Sequence, residues 1–295
     1  MYGKKYQHIL DENECVEVYK GLYYDDSKSK NCKKVIVFDL DETLGSFVDL
    51  DILWNSIDYI LGNNNPISHN NLLDLYPEFL RPNILNILKY VFKKKKNKEC
   101  YKLYIYTNNQ SQSFSVNRIS EYLSRKISKN DVLFDQIIYA FKINNQVVQV
   151  GRSSHHKTYN DLINCTLLPK KTAVCFLDDA EFDEMKKERI YYIKPKAYRH
   201  NLSTNDIINR LFHSRYGYLF TDYKTAITEH FINTSIAHKT YRGHVVNSIS
   251  YMEKQKQITM KMMYHIREFF LLTKTRIKTR KKKTSLRNFT RKNRK

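Results

Sequence analysis

The segment Asp39-Leu40-Asp41-Glu42-Thr43-Leu44 sets two carboxylates two positions apart, with a hydroxyl two further on, directly after the apolar run Val35-Ile36-Val37-Phe38. A short apolar run of this kind reads as a buried strand, and in open α/β sheets ligands bind at the carboxyl ends of strands. A lone Asp in a strand-to-loop turn is ordinary solvated surface. Two acids and a Thr at D-x-D-x-T spacing behind an apolar strand are a candidate reaction centre.

Two further apolar runs end in polar residues. Leu103-Tyr104-Ile105-Tyr106 finishes in Thr107-Asn108-Asn109, and Ala173-Val174-Cys175-Phe176-Leu177 finishes in Asp178-Asp179. These groups are of the types that can converge on one phosphate and one divalent cation. Carboxylate oxygens suit Mg²⁺ rather than zinc. The five cysteines are widely spaced and form no C-x-x-C pair. Neither a disulfide framework nor a zinc knuckle is indicated, and reduced thiols are expected.

The elements that must position these residues show the rhythm of a parallel sheet flanked by helices. Ile137-Ile138-Tyr139-Ala140 adds a fourth apolar run. The stretch from Pro82 has apolar residues at 84, 85, 87, 88, 91 and 92, one face at helical period, with a proline suited to a first turn. Asn117 to Ser128 and Tyr159 to Leu168 are weaker helical patterns. The fold expected is therefore α/β over residues 33–195, after an N-terminal extension at 1–32. Residues 47–80, with GNNNP at their centre, read as an insertion over one sheet edge. Trp54, Tyr59 and Phe79 within it are either ordinary core or an apolar platform for substrate. Helical patterns alone follow Pro195, predicting a helical appendage over 196–273.

Length and composition bound the rest. A chain of 295 residues with 41% hydrophobic residues is enough for one or two packed domains. No apolar run approaches the roughly 20 residues of a membrane-spanning helix, and the start MYGKKYQHILDENE lacks the apolar stretch of a secretory signal. A soluble, intracellular protein with no membrane partner is expected. The formal charge is 51 − 30 = +21, and twelve of the Lys and Arg residues lie in 274–295, leaving 21 − 12 = +9 for the body. That tail cannot build a core. It reads as a disordered polybasic segment that contacts nucleic acid or directs nuclear import, so both nucleus and cytoplasm stay open.

With these residues in view, the chain resembles the haloacid dehalogenase superfamily, and within it the phosphatases of the RNA polymerase II C-terminal domain, including the small C-terminal-domain phosphatase and NLI-interacting-factor-like group. The resemblance rests on VIVFDLDETL at 35–44, Arg81-Pro82 before a helix, the strand LYIYTNN, Lys157, and FLDD at 176–179. It implies a Rossmann-like parallel sheet and a Mg²⁺-dependent phosphatase working through an aspartyl-phosphate. Asp39 is then the nucleophile and Asp41 the general acid and base. Asp39, the Asp41 carbonyl oxygen and Asp178 hold Mg²⁺, with Asp179 beside it. Thr107, Asn108 and Lys157 bind the phosphoryl group, and Thr43 supports the turn of the motif loop. The family usually places its lysine directly before Asp-Leu; here Asn160 precedes Asp161-Leu162, and Lys157 lies three residues earlier. Arg152, His155 and His156 are near enough to contact substrate, but read first as surface polar residues.

The substrate the resemblance implies is a phosphoserine or phosphothreonine protein. The basic body and tail keep a second reading open, a phosphatase of nucleic-acid 3′ or 5′ ends. A non-catalytic module that binds phosphate is a third. Retention of Asp39, Asp41, Thr43, Thr107, Asp178 and Asp179 together argues against it.

Overall fold

The computed structural model describes residues 6–11, 15–24, 32–110, 113–128, 130–243 and 249–273. Its strands are β1 (Tyr6–Leu10), β2 (Val16–Gly21), β3 (Lys34–Phe38), β4 (Lys102–Tyr106), β5 (Gln136–Ile138), β6 (Lys142–Ile143), β7 (Gln146–Val147), β8 (Ala173–Leu177) and β9 (Ile190–Pro195). Its helices are α1 (Val48–Leu61), α2 (His69–Leu75), α3 (Ile84–Lys96), α4 (Ser113–Ile127), α5 (Tyr159–Thr166), α6 (Thr204–His213), α7 (Lys224–Ala237) and α8 (Ile249–Leu272). The architecture is α/β, with one mostly parallel seven-stranded sheet in the order β1-β2-β9-β8-β3-β4-β5. Strands β5, β4, β3, β8 and β9 run parallel, β2 pairs antiparallel with β9, and β1 antiparallel with β2. A separate hairpin joins β6 and β7.

Every residue of β3 is buried, which is why its sequence after Lys34 is an unbroken apolar run rather than an alternation. The period of two is visible only in what each side chain touches. Ile36 and Phe38 pack with Leu103, Ile105, Cys175 and Leu177 on one face, while Val35 and Val37 pack with Tyr104, Tyr106, Val174 and Phe176 on the other. The first face carries the larger layer, filled from α1–α4 and α6–α8. Leu162 of α5 covers part of the second. Several of these helices start on side-chain caps. Ser68 and Asn71 form a reciprocal capping box at α2, Ser203 and Asp206 another at α6, and the Thr158 hydroxyl accepts the Asp161 amide at α5.

The four apolar runs are all strands, and the helical patterns after Pro82, before Ser128 and after Tyr159 are α3, α4 and α5. The run from Ile137 to Ala140 is shorter than expected. Its pairing stops at Ile138 because the Tyr139 amide donates to the Gln149 side chain instead of to β4. Residues 47–80 fold as α1 and α2 joined through a 3-10 turn at Gly62–Asn64, and the described part of 196–273 carries the helices α6, α7 and α8. Five strands were not among those expected, three in the main sheet and the two of the β6–β7 hairpin. Within 1–32, β1 and β2 extend the same sheet, β1 as its half-exposed edge and β2 inside it with Glu17 and Lys20 partly exposed. β9 is the third. All five cysteines are free thiols. Among the described residues no helix is long and apolar enough to cross a membrane. The polybasic segment 274–295 lies outside the described residues.

Candidate functional site

Strand register assembles the site. Phe38 pairs with Leu177 on one side and Ile105 on the other, so the chain leaves three adjacent parallel strands at one sheet edge through Asp39, Asp178 and Thr107. This crevice at the carboxyl ends of the central strands is where open α/β sheets place ligands. The Asp39 amide donates to the Leu177 carbonyl at 2.8 Å, continuing the ladder one step past the strand. Ligand oxygens of Asp39, Asp178 and Asp179 lie within 4.8 Å of one another, the first two residues buried and the third partly so. Three carboxylates this close could hold a metal ion, and an all-oxygen donor set suits a hard divalent cation.

Lys157 sits against this cluster. Its ammonium donates to Asp39 Oδ1 and, at 2.6 Å, to Asp178 Oδ2, with the side chain 2% exposed. The loop between Arg152 and the Thr158 cap delivers it, so its displaced position in the sequence still reaches the carboxylates. Burial alone would lower its pKa, but the Asp178 and Asp39 carboxylates outweigh that and raise it. It stays an ammonium. One ammonium does not neutralise the cluster. Burial and then the charge of Asp39 push Asp179 up to about 6, and burial drives Asp178 well above the ordinary carboxylate range despite Lys157. The surplus of negative charge is what a bound divalent cation would relieve.

The turn after β3 is held from behind. Glu42 takes the left-handed conformation at φ 60°, and a Cβ on Gly45 would come within 2.4 Å of the Phe79 carbonyl oxygen, so only glycine fits there. Buried Arg81 clamps this turn: its guanidinium donates to the carbonyls of Thr43 (2.7 Å), Glu42 and Lys196 (2.9 Å), and to Gln255 Oε1 at 3.2 Å. Thr43 reaches across to Asp179. Its hydroxyl donates to Asp179 Oδ1 at 2.8 Å and accepts the Asp179 amide at 3.0 Å.

Asp41 is oriented by a residue the sequence reading left without a role. Asn109 Nδ2 donates to Asp41 Oδ2 at 2.7 Å, while Asp41 Oδ1 has no hydrogen-bond partner. Burial and the neighbouring Asp39 charge push the Asp41 carboxyl up to about 8, so it holds a proton at neutral pH. Thr107 is buried. Its amide is committed to the Ile138 carbonyl at 3.0 Å, so only the hydroxyl, which accepts the Asn109 amide at 2.9 Å, is left to donate to a ligand. Asn108 uses Oδ1 to accept from Arg152 at 2.7 Å, leaving its amide nitrogen as the candidate donor.

Arg152 corrects the expectation of a surface residue. It is 3% exposed and donates to the Thr107, Tyr139 and His155 carbonyls at 3.0, 2.9 and 3.0 Å. It thereby braces the polar turn after β4. His155 and His156 are exposed as expected. The three aromatics of the insertion separate: Phe79 is core, Tyr59 is exposed and stacks on His230, and Trp54 lines the cavity. That cavity holds about 960 Å³ and is lined by all of Asp39, Asp41, Thr107, Asn108, Lys157, Asp178 and Asp179, so one space unites the residues the sequence singled out, with Thr43 just behind it. Asn109, Arg81 and Arg152 were not legible as site residues. Asn109 had one signal, its place beside Thr107 at a strand end.

Compared with known proteins, the chain matches no family model, no curated protein and no solved structure.

Proposed function

We propose that the protein is a phosphomonoester hydrolase of the haloacid dehalogenase type, dependent on Mg²⁺ and acting on phosphoserine or phosphothreonine in a protein. The observation that carries this reading is the pairing of two unlike carboxyls on one strand end. Asp39 lies against the Lys157 ammonium and two further carboxylates, whereas Asp41 keeps a proton at neutral pH and has one oxygen unbonded. One carboxyl paired with an ammonium beside another that keeps its proton suits a nucleophile and a general acid.

The chain's own groups then act in sequence. An ionised Asp39 oxygen attacks phosphorus; the new P–O bond forms as the ester P–O bond breaks, and Asp41 gives its proton to the departing alkoxide oxygen. Water next loses a proton to Asp41 and attacks the same phosphorus. The aspartyl P–O bond breaks, inorganic phosphate leaves, and the Asp39 carboxylate is restored. Thr107 and Asn108 donate hydrogen bonds to phosphoryl oxygens, and Lys157 offsets charge beside the nucleophile. Asp39, Asp178, Asp179 and the Asp41 carbonyl oxygen would hold Mg²⁺, which when bound offsets phosphate charge so that two anions can approach. Asn109 keeps the Asp41 carboxyl turned toward the leaving group.

The test is release of phosphate from p-nitrophenyl phosphate. Turnover with Mg²⁺, abolished by a chelator and by Asp39→Asn, supports the reading. A well-folded protein with no turnover, indistinguishable from Asp39→Asn, contradicts it and favours a phosphate-binding module.

A further inference from the structure

The carboxyl ends of β3 and β8 carry acids, whereas the amino ends of β3, β4, β8 and β9 carry cations. Lys33 precedes β3, Lys102 opens β4, Lys170 and Lys171 come just before β8, and Arg189 precedes β9. Backbone pairing makes these neighbours: the Ala173 amide donates to the Lys33 carbonyl at 2.8 Å, and the Tyr101 amide to the Lys34 carbonyl at 2.7 Å. Asp39 follows Lys33 by six residues of nearly extended chain, about 20 Å at ~3.3 Å per residue. The basic edge therefore stands well apart from the reaction centre.

Helix α3 ends on the same side. Glu99, Asp135 and Asp131 take up Lys94, Lys95 and Lys96 of its lysine run, and Asp135 also takes Lys102. Lys93 and Lys98, like Lys33, Lys170 and Lys171, are exposed and form no ion pair among the described residues. Helix α8 brings the most basic segment of the chain to this edge. Phe270 in its last turn lies 5.5 Å from the Lys94 ammonium, and Arg267 lies over the α3 ring of Tyr90 at 5.5 Å. Thr273 follows three residues later, and 274–295, with twelve Lys or Arg and no acid, begins there. The start of the tail and the folded cations thus share one field, within a Debye length of each other.

Tyr101 is an independent sign of what binds. It is 43% exposed, with the Lys33 ammonium 3.9 Å and the Lys102 ammonium 5.8 Å from its ring. An exposed aromatic set among cations is the arrangement on which a base of a single strand stacks while the cations take the flanking phosphates.

We propose that this edge of the sheet is a docking surface for single-stranded nucleic acid, with the phosphate backbone crossing the strand starts, a base on Tyr101, and the cations of 274–295 adding to the grip. The strand is held about 20 Å from Asp39, so it positions the protein and is not the molecule that reacts.

The full-length protein is titrated into a fluorescein-labelled oligouridylate with no terminal phosphate, and anisotropy is followed across a potassium chloride series. Binding is expected to fall steeply with salt, because every neutralised phosphate releases counterions. Combining Lys33→Gln, Lys98→Gln and Lys171→Gln flattens the slope of log Kd against log salt by roughly two, at ~0.7 per contact on a single strand. Arg at the same three positions restores it. Tyr101→Ala weakens binding about fivefold, as the loss of one stacked base does, and Tyr101→Trp keeps it. An unchanged slope in the Gln variant assigns all binding to 274–295 and overturns the proposal. Tighter binding to phosphatidylserine vesicles or to polyglutamate than to the oligonucleotide at equal salt also overturns it, as does no binding at all.

Discussion

Thr43 and Asp179, 136 residues apart, are joined twice: the hydroxyl donates to the carboxylate at 2.8 Å and accepts the backbone amide of the same aspartate at 3.0 Å. One small side chain thus ties the turn after β3 to the end of β8 and fixes how Asp179 faces Asp39 and Asp178. Groups that orient a ligand commonly matter to metal affinity nearly as much as the ligand itself.

Thr43→Val keeps the shape of the side chain and removes both bonds. Titration calorimetry with Mg²⁺ is expected to show roughly 10- to 100-fold weaker binding, largely recovered in Thr43→Ser. Unchanged affinity in the valine variant would show that Asp179 needs no such support.

Arg81 holds three backbone carbonyls at and beside the turn after β3 from a fully buried position. Arg81→Met leaves those acceptors without their donor in a space water does not reach. Urea unfolding is expected to show a loss of about 3 kcal/mol, and Arg81→Lys recovers little, because a point ammonium cannot serve a forked set of acceptors. A loss within experimental error would mean the loop holds its form unaided.

Lys157 is the counterion of Asp39 and Asp178 in a buried setting. Lys157→Met leaves two carboxylates facing each other, and metal-free stability falls by roughly 3–5 kcal/mol. Added Mg²⁺ then raises the Tm more in the variant than in the wild type, since the cation takes over the missing charge. Equal Tm shifts in the two proteins would remove Lys157 from the cluster's charge balance.

Asp135 supplies a pH-dependent part of stability far from the cavity. Burial raises its carboxyl pKa, but hydrogen bonds from Lys95, the Leu103 amide and Lys102 outweigh this and hold it below 3.8. A folded pKa below the unfolded one contributes stability above the ordinary carboxylate value of about 3.9. That contribution is lost as pH falls through this value toward the folded pKa. Asp135→Asn therefore lowers the denaturant midpoint at neutral pH and flattens its decline below about pH 4. Parallel pH curves for the two proteins would contradict this.

What was legible in the sequence follows from where the information lies. The strands bearing Asp39, Thr107 and Asp178 are buried on both faces, so their apolar runs stand out, and the polar residues ending them mark the sheet edge. β1 and β2 escaped because polar residues interrupt them, His8 on the exposed edge strand and the partly exposed Glu17 and Lys20 on its neighbour. Arg81 and Arg152 escaped for a different reason. Among 51 Lys and Arg residues, nothing local separates a cation buried against backbone carbonyls from a solvated one. The cavity wall built by α1, α2 and α4 was equally hidden, since Asp51, His69 and Arg118 meet only through the packing of those helices.

The proposed reaction passes through a covalent bond between Asp39 and phosphorus, and the direct measurement is peptide mass spectrometry of Asp41→Asn after reaction with p-nitrophenyl phosphate and rapid acid quenching. Without its general base the variant cannot clear the intermediate, so phosphate is expected on the peptide containing residue 39. It should be released by hydroxylamine and be absent from Asp39→Asn. Wild-type turnover in Asp41→Asn with no phosphorylated peptide would contradict the account.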